Sequence, residues 1–324
     1  MGRCPALRLR LNLYPAGRVN LLPPQIQVLE RGWLSSNNVL FLEGERASLI
    51  DSGYVAHAEQ TVALVRHALA GRRLARLINT HSHSDHIGGN AAVSQTFGCR
   101  IAIPAGIAPA VAEWDEAALL LESTAQSAAR FAHDDEIVAG DEIELGGLNW
   151  QALAAPGHDM HALVFYNPSR RILISGDALW RNGFGVIFSE LMGTAPGLRA
   201  TRETLEALSR LSIDVVIPGH GAPFAEVGDA LQQAFARLAA FEADGERLAR
   251  HAVKVVFTFW LLERRSIAAA ALPAFLAGVS LYRDVNARYF RQSFDDLADW
   301  LIRDLERAGA VRRERDRIVA AGDA

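Results

Sequence analysis

Residues 80–90 read THSHSDHIGGN, which places three of the chain's ten histidines and an aspartate within six positions. The run before the cluster, ARLINT (75–80), is apolar and β-branched and reads as a buried strand. The run that follows, GGNAAVSQTFG (88–98), reads as a helix closed by Gly98. The cluster therefore sits on a strand-to-helix turn. Side chains alternate along an extended chain, which directs His81, His83 and Asp85 to one side and aims His86 differently as it enters the turn. That arrangement suits two adjacent metal positions. Solvated loop histidines with an N-cap at Asp85 are the plainer alternative, and they leave the density of the cluster unexplained.

Outward from this stretch the chain alternates β-rich and helical segments. IQVLE (26–30), NVLFLEG (38–44) and ASLIDSG (47–53) carry strand signals, as does RLRLNL (8–13), and a helix is expected at about 57–70. RIAIP (100–104) is a further strand, followed by an alanine-rich helical stretch from about 107 to 132. A second β-rich series follows: EIVAGDEIELGG, NWQALAAPGH, ALVFYN and RILISGDA. RATRETLEALSRL (199–211) is a helix leading into the strand and turn DVVIPGHG (214–221). The order predicts two similar halves, each a sheet with helices on its outer face.

The second half repeatedly ends a strand on a His or Asp. ALAAPGHD delivers His158, ILISGDAL delivers Asp177 and VVIPGHGAP delivers His220. Loops at one set of strand ends can be aimed at a common point, so four separated segments are expected to converge. Together they offer five His and two Asp, too many for one tetrahedral ion and suited to two. Each ion gains three terminal ligands if His81, His83 and His158 hold the first and Asp85, His86 and His220 the second, with Asp177 bridging. Imidazole and carboxylate donors suit zinc first, with iron and manganese also acceptable.

The strings THSHSDHIGG, PGHD, SGDA and PGHG, in that order, resemble the metallo-β-lactamase superfamily over about residues 20–225. All seven ligand positions of its dinuclear branch are matched. The resemblance implies an αββα sandwich, an α/β fold, with the metals at one edge, and it agrees with the ligand pairing above. LIDSG also matches a family strand, which makes Asp51 an expected hydrogen-bond partner of a ligand or of the turn that carries one. Members with a Cys at the Asp177 position are disfavoured, and so is the nucleic-acid-processing branch, since only 43 residues separate Asp177 from His220. The ligand set is similar to that of glyoxalase II, but the characteristic sequence after the last histidine is not visible in GAPFAEVGDA, so glutathione binding is not carried over.

Composition bounds the rest. A chain of 324 residues, 50% hydrophobic, can bury a large core and carry a smaller second unit, here expected as a catalytic domain over 1–225 and a C-terminal domain over 226–324. No apolar run is long enough to span a bilayer. The start, MGRCPALRLRLNLYP, lacks an apolar signal core, so the cytoplasm is the expected compartment. Two cysteines make no disulfide framework, and Cys99 reads as a core residue. Of 33 basic residues only Lys254 is a lysine, so arginine clusters carry little meaning.

The tail SFDDLADWLIRDLERAGAVRRERDRIVAAG (293–322) resembles a helix ending at Gly309 followed by a β-wing, as in winged-helix tails of some β-lactamase-like hydrolases. From 226 to 324, 15 Arg and Lys balance 15 Asp and Glu, so nucleic acid is not an expected partner. A helical cap on the active-site rim or a homodimer contact is the expected use, and AVKVVFTFWLLE (252–263) is a core or interface helix.

Trp180, Phe184 and Phe188 follow Asp177 closely and are candidates to line an apolar acyl pocket; His161 is a candidate second-layer donor or substrate contact. Asp159 reads as a turn residue, and His57, His67, His133 and His251 receive no role. Two cations draw the pKa of a bridging water toward neutrality, with Asp85 orienting it, and polarise a carbonyl without any Ser or Cys nucleophile. Thiolates leave without a proton donor, so small-molecule esters, thioesters and lactones are the expected substrates. Alternatives are a single-iron persulfide dioxygenase and a nuclease.

Overall fold

The computed structural model describes residues 22–322; the expected strand at 8–13 lies outside them. One sheet contains β1 (Ile26–Leu29), β2 (Asn38–Glu43), β3 (Arg46–Ile50), β4 (Arg73–Ile78), β5 (Arg100–Pro104) and β6 (Asp135–Ile137) in that spatial order. A second holds β7 (Glu142–Leu145), β8 (Leu148–Ala154), β9 (Leu163–Asn167), β10 (Ile172–Gly176) and β11 (Val215–Pro218), ordered β11-β10-β9-β8-β7. Strands β3 to β6 run parallel, and β10 runs parallel to β11.

Period-two alternation sorts the apolar side chains into three layers. In β2, Val39 and Phe41 face the second sheet, and Leu40 faces outward. In β10 and β11, Ile172, Ile174, Val215 and Ile217 face inward against the first sheet, whereas Leu173 and Val216 point out. The first sheet's outer face is covered by α1 (Ala58–Leu69), with α2 (Ser84–Ile87) and α3 (Asn90–Phe97) following β4. The helices α4 (Ala108–Glu113) and α5 (Leu121–Thr124), between β5 and β6, pack on the same outer side of the first sheet, and the second sheet is covered by α6 (Phe188–Met192), α7 (Gly197–Ser209), α8 (Val227–Ala243) and α9 (Gly245–Arg264). The result is a helix–sheet–sheet–helix sandwich.

The alanine-rich stretch 107–132 is not the long helix expected of it. Only α4 and α5 form, because Trp114, Leu120 and Ala125 adopt left-handed backbone angles. Trp114 packs edge-on to Phe131, and Asp115 accepts the amides of Ala117 and Ala118, so packing overrides alanine's helix propensity. The irregular segment becomes a wall of the candidate site.

Beyond α9 the chain forms β12 (Ser266–Ala268), α10 (Leu272–Gly278), α11 (Ser280–Val285), α12 (Phe294–Arg307) and the hairpin β13 (Val311–Glu314) and β14 (Arg317–Ala320), which joins β12 in a three-stranded sheet. These elements share one buried cluster with α6 to α9 and the outer face of the second sheet. No helix among the described residues is long and apolar enough to cross a membrane.

Candidate metal centre

The strands that carry the expected ligands end at one edge of the sandwich. Backbone bonds from the Leu163 amide to the Thr80 carbonyl (2.8 Å) and from the Asn37 amide to the Gly219 carbonyl (2.7 Å) tie the two sheets there. Asn37 also donates its side-chain amide to the carbonyls of Pro218 and Gly221, which fixes the last ligand loop. All seven expected side chains meet at this edge. Donor atoms of His81, His83 and His158 form one group, and those of Asp85, His86, Asp177 and His220 another, each within 4.8 Å.

Asp85 does not share a side with His81 and His83, as strict strand alternation predicted. The helix α2 begins at Ser84, and its turn carries Asp85 to His86 and His220; the His220 Nε2 to Asp85 Oδ2 distance is 2.9 Å. Asp177 lies between the groups. Its Oδ2 is 3.4 Å from His158 Nε2, and its Oδ1 is 3.4 Å from His86 Nε2.

The surroundings suit cations. His81 Nε2, His86 Nε2 and His220 Nδ1 are buried with no hydrogen-bond partner, a costly state that a bound ion relieves at the nitrogens it reaches. Burial, reinforced by the neighbouring imidazoles, drives His81 well below the usual histidine range and His83 down to about 4, so both are neutral donors near pH 7. Burial opposes ionisation of Asp177, but the His220 and His86 imidazoles overcome it and hold the carboxyl well below its usual range. His86 is the exception: burial lowers it, yet Asp51, Asp85 and Asp177 together hold it well above the ordinary value. Carboxylates that favour a proton there favour a divalent ion in its place.

A second ring of contacts orients the donors. Asp51, in a left-handed conformation at the end of β3, accepts from the Thr80 amide and hydroxyl at 2.9 Å each and lies 2.8 Å from His86 Nδ1. This leaves His86 Nε2 to face the centre. His158 Nδ1 donates to the Val186 carbonyl at 2.6 Å and likewise presents Nε2. Trp180 donates its indole N–H to Asp177 Oδ1.

Two contributors were not assigned to the site from sequence. Asp159 is buried and accepts from the Ser82 amide and hydroxyl and from the His161 amide, which locks Ser82 between two of the histidines. Its adjacency to His158 was the available signal. Trp33, 59% exposed, stacks on the His220 ring at 5.2 Å; nothing in its local sequence marks it.

Of the proposed substrate residues, Trp180 and Phe188 reach the clefts at the centre, and Phe188 lies edge-on to His83. Phe184 does not. The Trp180–Gly183 bridge turns the chain so that its ring packs against Phe241 in the core. His161 stands on a cleft wall, beside Gly106. Of the histidines left without a role, His57 lies 2.9 Å from the Ser35 hydroxyl and His133 lies 3.6 Å from Glu136.

The profile of the metallo-beta-lactamase superfamily matches residues 31–220, a span that contains every one of these donors. The chain belongs to that superfamily. A hydroxyacylglutathione hydrolase of Methylococcus capsulatus is 30% identical over 187 residues, covering 57% of this chain and 60% of the relative. The chain spans between two fifths and three fifths of the length of such curated relatives. A beta-lactamase domain protein from Burkholderia ambifaria shares the fold with a TM-score of 0.56 at 19% identity, over 92% of this chain and 93% of that one. A solved structure in a di-iron-bound form aligns with a TM-score of 0.51 at 25% identity, over 64% of this chain and 98% of that one. Divalent metal ions belong to this donor set.

Proposed function

We propose that the protein is a dinuclear metal-dependent hydrolase of small esters, thioesters or lactones. The observation that carries the reading is Asp177, which offers one carboxylate oxygen to each of two donor groups 3.4 Å away. His81, His83 and His158 would hold one ion and Asp85, His86 and His220 the other. Zinc suits these imidazole and carboxylate donors, and the di-iron form of a structural relative keeps iron as the competing occupant. When bound, such ions polarise a carbonyl oxygen and lower the pKa of water toward neutrality.

The chain's own residues do the rest. Asp51 and the Val186 carbonyl keep His86 and His158 in the tautomers whose Nε2 faces the centre. Asp85, 2.9 Å from His220, would orient the attacking water as well as hold the ion. Phe188, Leu119 and Leu120 form an apolar wall that excludes bulk water beside the donors and strengthens every electrostatic contact there. No Ser or Cys nucleophile is needed.

The curated relatives' name supports acyl-thioester hydrolysis as the reaction type. The balanced charge of the C-terminal region supports a small-molecule substrate over a nucleic acid. The test is turnover of the zinc-reconstituted full-length chain on a panel of acyl thioesters, aryl esters and lactones, following thiol or proton release. Metal-dependent release from at least one class is expected. Absence of hydrolysis across the panel, together with oxygen uptake on a persulfide, would overturn the reading.

A further inference from the structure

Two clefts open on the metal centre and share His83, His158, Leu119, Leu120 and Phe188 in their walls. The larger encloses about 410 Å³ and runs past Ile107, Met160 and Met192. The smaller, about 70 Å³, lies beside Trp33, Val255 and Phe259. Trp33 and Val255 are two of the few large apolar side chains the described surface exposes, so the mouth of the site is apolar as well as its walls.

The walls are also selective in charge. In a chain with 33 basic residues, no Arg or Lys lines either cleft among the described residues. Apart from the donors Asp85 and Asp177 and the buried Asp159, the charged groups in the walls are Glu113 and Asp115, both exposed at the larger cleft. An anionic group seated in the outer part of that cleft, away from the metal donors His83 and His158, would lose water, meet these two carboxylates and find no Arg or Lys among the described residues to pair with. Desolvated unpaired charge is costly, and like charge beside it adds to the discrimination.

We propose that the clefts select uncharged acyl compounds: esters, lactones or thioesters whose buried acyl and leaving portions carry no carboxylate or phosphate, with an apolar chain or ring against Leu119, Leu120 and Phe188. The inference rests on the hydrolase reading for the reaction and adds its substrate class. Glutathione conjugates, which carry carboxylates on the leaving thiol, are disfavoured by the same walls.

The experiment uses thioethers that cannot be hydrolysed, so its result does not depend on turnover. Binding of S-hexylglutathione and of the uncharged S-hexyl N-acetylcysteamine to the metal-reconstituted full-length chain is measured by calorimetry at low and high salt. The uncharged ligand is expected to bind about tenfold tighter or more. The gap should narrow at high salt, where screening weakens the repulsion, and also in Glu113→Lys. Equal or tighter binding of S-hexylglutathione, or no binding of the uncharged ligand up to its solubility, overturns the proposal whatever the hydrolysis panel shows.

Discussion

Gly219, one residue before His220, shows how little room the centre leaves. A methyl group built on its Cα would lie 2.2 Å from Asp177 Oδ1 and 3.0 Å from a carbon of the His86 ring. Gly219→Ala must therefore displace the carboxylate that spans both donor groups, and metal affinity is expected to fall about tenfold or more, read by competition with a chromophoric chelator. Asp51→Asn keeps the volume but replaces an acceptor of three hydrogen bonds with a group that cannot accept them all. Loss of His86 orientation is expected to cost roughly 10- to 100-fold in metal affinity or activity. Unchanged metal titration in both variants would mean that these contacts do not position the donors. The meeting of these seven side chains at one edge was legible because His and Asp at strand ends are rare and chemically specific. Asp159 and Trp33 were not, because an Asp after a histidine reads as a turn and a tryptophan on a loop gives no sign of the ring it will stack on.

At the scale of elements, α9 joins the C-terminal region to the site. Its Phe259 stands edge-on to Tyr54, whose hydroxyl donates to Glu263 at 2.8 Å and accepts from the Ser127 amide. Tyr54→Phe leaves a poorly exposed carboxylate and an amide without that partner, and a loss of about 1–3 kcal/mol is expected in urea unfolding. A change under about 0.5 kcal/mol, the usual range of a neutral surface substitution, would show that α9 is held by apolar packing alone. The same helix carries His251, its ring tilted against Phe241, where burial first and then Arg237 and Lys254 push the imidazole down to about 4. The unfolded chain therefore binds the extra proton between pH 6.5 and about 4, and His251 withdraws stability as pH falls through that window. His251→Gln is expected to lose less stability than the parent between pH 7 and pH 5; an equal loss would contradict it. The strands of the two large sheets and α1, α3 and α7 were legible from periodicity and from Gly98 as a stop, whereas β12 was not. The break-up of 107–132 was not, because the left-handed turns at Trp114, Leu120 and Ala125 follow from what those side chains pack on.

Across the whole molecule, one apolar cluster runs from Val164 and Leu173 on the second sheet through α8 and α9 to Ile318 in the final hairpin. Arg288 strengthens the junction by donating to the carbonyls of Leu191 and Met192 at the end of α6, beside the larger cleft. A division at residue 225 follows the last donor loop but cuts this cluster. A fragment ending there retains all seven donors and is expected to aggregate, because the outer face of the second sheet loses much of its cover. A soluble fragment with a cooperative melt would instead establish two independent units. The sequence motifs marked where the centre lies, and periodicity marked the sandwich. How far the C-terminal elements share its core depends on contacts between residues remote in the chain, which local pattern does not encode.

Hydrolysis by two ions, divided between the two donor groups, is the proposal most open to direct test. The most direct measurement is metal content by elemental analysis, with turnover on the best substrate, of the parent protein and Asp85→Ala in parallel. The parent is expected to bind about two ions and the variant about one, as its second donor group is opened, with turnover falling on the order of a hundredfold or more. A parent that binds a single iron, with oxygen consumption on a persulfide that survives Asp85→Ala, would contradict the account.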